Sequence, residues 1–110
     1  MQRTEIMMFS GVDELDVVAP FEILVSTGFD VRLVTLEGCA SVTGAHGMTL
    51  TPGGVVGSRP DLLIAPGGRW ASKAPESAWG EVRRGALPSA IADLHTPRAP
   101  ASPVYAPGRC

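Results

Sequence analysis

The chain has 110 residues, 45% of them hydrophobic and 18% charged, and a formal net charge of -2. That length bounds it to one domain or less, with a core of modest stability. The charge balance gives no electrostatic case for nucleic acid or for an anionic membrane, and no apolar run approaches the length of a membrane span.

The first apolar run, "TEIMMF" over 4–9, lacks polar alternation and predicts a buried strand of a parallel sheet, not a secretory leader. "SGVDE" follows as a turn. "ELDVVAPFEILVSTG" has apolar residues at helical spacing (Leu15, Val18, Phe21, Ile23, Leu24), and Pro20 argues that the helix starts near Ala19, with the proline in its first turn. Gly28 is the expected stop. A second strand is expected over 29–37. A glycine-rich loop comes next, with room for short strands at "SVT" and "MTL".

"DLLIAPGG" over 61–68 reads as the clearest buried strand, running into a sharp turn. Residues 75–95 have helical tendency, broken at Gly85 and Pro88 into two pieces, the second running from Pro88 to His95. This alternation predicts a three-layer α/β domain around a mostly parallel sheet.

In such sheets functional groups lie beyond the carboxyl ends of the strands. The first and third long strands are expected to be neighbours, which would bring Asp16 close to Gly67 and Gly68. Asp16 in "LDVVAP" is either a helix-capping acid or a pocket carboxyl that tunes a partner. Glu22 is either solvated or, given its apolar company, buried at the sheet edge. "PGG" is either an ordinary tight turn or a turn whose amides face developing negative charge. His46 in "GAHG" has no second ligand at metal spacing and reads as an idle loop residue, so no metal and no cofactor are expected. Cys39 reads as a small packing residue. With only Cys110 besides, the cysteines are too few and too far apart for a disulfide framework or a zinc site. A reduced, cytoplasmic protein is expected.

"MMFSGVDELDVVAPFEIL", "FDVRLVTLEG", "VTGAHGMTLTP" and "PDLLIAPGG" resemble, in order and spacing, the ThiJ/PfpI superfamily over residues 4–95. That superfamily has the class I glutamine amidotransferase-like fold and includes isonitrile hydratases, the branch that "LDVVAPFE" resembles most. The resemblance implies an incomplete flavodoxin-like α/β/α domain, a small-molecule substrate and a homodimer in the intact family. It also implies a site in three parts: the acid at Asp16, backbone donors at Gly67 and Gly68, and a cysteine on a strand-to-helix elbow in a motif like "VCTGA". The activities it suggests are those of hydratases, lyases and amidases. The alternative is a ligand-sensing or protein-interaction domain derived from a ThiJ/PfpI-type transcriptional regulator, although no basic DNA-binding segment is present.

"VCTGA" does not occur in the chain. Residues 96–110 hold four of the ten prolines, a composition that does not suit the expected strand. Read from the third base of each codon, however, "PVYAPGRC" permits "SVCTGAM", and "HTPRAPAS" permits "HAAGTRVA", a turn and a strand. The expectation is therefore a truncated domain over 1–95 followed by a frameshifted, non-native tail over 96–110. In that case Cys110 is an accident of frame, the nucleophile is missing and the product is inactive.

Overall fold

The computed structural model describes residues 2–57, 59–73 and 75–85. The expected second helical piece (88–95) and the tail (96–110) lie outside the described residues. Four strands form one parallel sheet: β1 (Arg3–Met7), β2 (Asp30–Thr35), β5 (Gly54–Val55) and β6 (Leu62–Ile64), in the order β5-β2-β1-β6. A separate antiparallel hairpin pairs β3 (Val42–Thr43) with β4 (Thr49–Leu50), where the two short strands were expected. Helix α1 spans Glu14–Ser26, a 3-10 turn covers Trp70–Ser72, and helix α2 spans Ala78–Arg83.

β1 is the centre of the domain because it is buried on both faces from Thr4 onward and runs into an apolar segment. Ile6, Met7, Met8, Phe9 and Val12 supply half of the buried core, and Val17, Val34, Leu36, Val42 and Trp79 complete it. Each such side chain contributes roughly 1.5–3 kcal/mol of burial. Most of this stability therefore collects at the carboxyl end of β1, where Phe9 stacks on Trp70 with ring centroids 3.6 Å apart. The parallel ladder runs on past the strand through Met8 N–H, which donates to the Val34 carbonyl at 2.7 Å.

Three expectations need correction. Helix α1 starts at Glu14, five residues earlier than predicted, and Pro20 lies inside it. Its beginning is fixed by Asp13, whose side chain accepts from Leu15 N–H at 3.2 Å, and by docking of the first turn described below. Gly28, in contrast, ends the helix as expected: at φ +94° it has the left-handed backbone that suits a glycine after a C-cap. Second, β6 is short and half-exposed, because among the described residues it pairs only with β1, leaving Leu62 43% exposed. Third, β5 begins at Gly54, the last residue of a stretch read as a glycine-rich loop, yet Gly54 and Val55 suffice to extend the sheet beyond β2.

Candidate functional site

The chain leaves β1 through α1 to reach β2 on one side, whereas β6 lies on the other side of β1. The crevice between β1 and β6 is therefore the point where connections diverge, the usual ligand position in an open parallel sheet. An open groove of about 480 Å³ lies there, lined by Leu15, Asp16, Ala19 and Pro20 of α1 and by Ile64, Ala65, Pro66 and Gly67 after β6.

Two backbone segments form its base. Val12 and Gly68 form an antiparallel bridge, in which Asp13 N–H donates to the Gly67 carbonyl and Arg69 N–H to the Gly11 carbonyl, both at 2.9 Å. Gly68 has no room for a side chain: a Cβ would lie 2.6 Å from the Gly11 oxygen and 2.8 Å from both Asp13 N and Val12 Cα. Its φ of +146° also disfavours any other residue. The second glycine of "PGG" is thus required by close backbone approach.

The first glycine is required by Asp16. Gly67 N–H donates to Asp16 Oδ2 at 3.1 Å, and a Cβ on Gly67 would lie 2.9 Å from the same oxygen. The structure therefore brings Asp16 and Gly67 together across 51 residues of sequence. Gly68 sits one residue further on, and its N–H has no acceptor among the described residues. Asp16 is exposed, and the helix-capping role considered for it belongs to Asp13. A carboxylate at an open groove wall, beside an available backbone donor and at the positive end of a helix, can orient a polar ligand or exchange a proton with it.

Glu14, two residues earlier, points the other way and was missed by sequence reasoning. It is buried, with Oε2 accepting from His46 N–H at 2.8 Å and Met48 N–H at 3.2 Å. Oε1 lies 2.9 Å from His46 Nδ1. A carboxylate only accepts, so Nδ1 carries the hydrogen. Burial alone would raise the Glu14 pKa, but the hydrogen bonds from the His46 side chain and from the Glu14, His46 and Met48 backbone together lower it to about 2.

His46 is therefore not idle. It ties the β3–β4 hairpin to the start of α1, and Gly44 leaves the space that Glu14 fills, since a Cβ there would lie 2.3 Å from Glu14 Cδ. Asp13, Glu14 and His46 place ligand atoms within 4.8 Å of one another, a proximity that their sequence spacing conceals. Each of the three already has a hydrogen-bond partner.

Glu22 is exposed, not buried at the sheet edge. Cys39, the only cysteine within the described residues, packs half-buried against the core as expected.

A parallel α/β sheet with an acid and a glycine turn facing each other at its carboxyl edge defines a flavodoxin-like protein with a crevice site. Residues 2–86 match the model of the DJ-1/PfpI family, and the chain belongs to that family. Solved structures agree on the fold. Drosophila melanogaster DJ-1beta superposes with a TM-score of 0.62 at 20% identity, covering 86% of this chain and 61% of its own. Oxidized Toxoplasma gondii DJ-1 gives 0.65 at 14% identity, covering 86% and 48%. A DJ-1 superfamily protein from Agrobacterium tumefaciens gives 0.60 at 22% identity, covering 77% and 49%. The chain thus spans about half to three fifths of the length of these three structures. No curated protein matches its sequence. Among the described residues, no helix is long and apolar enough to cross a membrane.

Proposed function

We propose that this chain is the N-terminal portion of a cysteine-dependent DJ-1/PfpI protein of the isonitrile hydratase-like branch. It carries the acid and the glycine turn of the site without the nucleophile. The observation that supports this reading best is the Asp16–Gly67 contact at 3.1 Å, in a groove with no cysteine among the described residues that line it. In the intact site Asp16 sets the protonation of a thiol beside it, and the Gly68 N–H supports a developing negative charge. Here Asp16 has no thiol to act on, and the chain alone is inactive.

The intact protein takes a small-molecule substrate, works in the cytoplasm and pairs as a homodimer. Exposed Leu15, Val18, Ile23 and Val25 on α1 support the need for a cover, since so many large apolar side chains left exposed on one helix favour burial against a further surface. Residues 96–110 are the family's elbow segment read in a shifted frame.

The test is to sequence the coding DNA and to express both this chain and the frame-corrected gene. Conversion of an isonitrile to its N-substituted formamide is then assayed for each. Activity is expected only in the frame-corrected protein, and it should be lost on Asp16→Asn. Coding DNA whose shifted frame does not continue into a helix after the elbow contradicts the frameshift. Hydration by the 110-residue chain contradicts its inactivity.

A further inference from the structure

Pro20 lies inside α1 and lines the groove, as Asp16 does. A proline has no N–H, so the helical hydrogen bond that would run from residue 20 to the Asp16 carbonyl cannot form. Both residues belong to one wall, so the carbonyl that points from Asp16 towards Pro20 lies along that wall. A proline ring also crowds the carbonyl of the residue four before it, which bends the helix and turns that oxygen outward. We propose that the Asp16 main-chain carbonyl is a ligand acceptor in this groove, and that it takes the N–H of a secondary amide, the N-substituted formamide. This rests on the hydration reading above and adds a second contact to that site.

The groove's polar groups favour a ligand that donates. Asp16 is the one polar side chain among the described lining residues, and a carboxylate only accepts. Pro20 and Pro66 have no N–H, and the Gly67 N–H is already given to Asp16 Oδ2. Leu15, Ala19, Ile64 and Ala65 offer apolar contact to the rest of a small ligand.

An isonitrile carries no N–H. Its hydration consumes one water: one hydrogen ends on nitrogen, the other on carbon, and the oxygen becomes the formyl oxygen. The N–H exists only once the reaction has advanced. An acceptor placed for it therefore stabilises the later states over the substrate. Because the acceptor is main chain, no substitution at residue 16 removes it; residue 20 controls it instead.

The test titrates the full 110-residue chain with N-methylformamide and with N,N-dimethylformamide, which lacks the N–H, and follows backbone resonances by NMR. N-methylformamide is expected to bind about three- to tenfold more tightly, the range of one neutral hydrogen bond. It should move the Asp16 carbonyl carbon resonance downfield, and the dimethyl compound should not. Pro20→Ala supplies the missing N–H and gives the Asp16 carbonyl its helical partner. That variant should unfold at a temperature no lower than wild type and lose the preference for N-methylformamide. Equal affinities in the wild-type chain overturn the proposal, as does a preference that survives Pro20→Ala. An Asp16 carbonyl resonance that N-methylformamide leaves unmoved also overturns it. None of these outcomes depends on a thiol or on the reading frame. The proposal therefore fails separately from the hydratase reading, which the coding DNA and the isonitrile assay decide.

Discussion

Glu14 and Asp16 lie two residues apart on the first turn of α1, yet they belong to different regions of the molecule. Glu14 faces the β3–β4 hairpin, is buried, and accepts three contacts from two residues of the hairpin turn. Asp16 faces the β1–β6 groove, is exposed, and accepts one, from Gly67. A buried, fully occupied carboxylate is committed to structure, because any new ligand must first displace its hydrogen bonds. An exposed carboxylate with one backbone partner keeps acceptor capacity for chemistry. The contrast shows that the acid held by the most hydrogen bonds is not the acid that lines the groove.

The seam joining the two regions should give the largest effect. Gly68→Ala places a methyl group against rigid backbone in a disfavoured conformation, and the strain and overpacking together should cost about 3 kcal/mol. Thermal unfolding should move down by more than about 10 °C, and a shift under about 4 °C would show that the bridge does not hold the regions together.

Glu14→Gln comes next. Its amide nitrogen must face either His46 Nδ1 or the two backbone amides, so a donor opposes a donor in either orientation. The wild-type carboxyl titrates at about 2 in the folded chain, below the ordinary 4.5. Its stabilising contribution is therefore fully present above about pH 4.5 and is lost as pH falls through about 2. Acid-unfolding curves should show that part of the pH dependence in wild type and not in Glu14→Gln.

Asp13→Ala removes the N-cap and should cost about 1 kcal/mol in chemical denaturation, with the hairpin still docked. Asp16→Asn should change stability least, within about 0.5 kcal/mol, because the side chain is exposed. A larger loss would place Asp16 with Glu14 as a structural acid.

Much of this was legible in the sequence, and the gaps have physical reasons. The parallel sheet was visible because the run "TEIMMF" lacks the polar alternation of a half-exposed strand, and the Asp16–Gly67 juxtaposition followed from placing β1 beside "DLLIA". The helix start was not, because Pro20 is a strong local signal, and what outweighs it is the Asp13 cap together with Glu14's contacts to His46 and Met48, 32 and 34 residues away. Glu14 and His46 are separated by 32 residues, and nothing local in "DELD" marks which acid turns inward. The one usable clue was Gly44, whose missing side chain makes room for Glu14. β5 escaped notice because two glycines read as a turn whether or not a strand passes through them.

Hydrogen exchange at single amides tests the division between the two regions most directly. In Asp16→Asn the Gly67 amide should exchange several-fold faster while the His46 and Met48 amides keep their protection; Glu14→Gln should show the reverse. Joint loss of protection at all three amides in either variant would contradict two separate roles for neighbouring acids, and so would an unchanged Gly67 amide in Asp16→Asn.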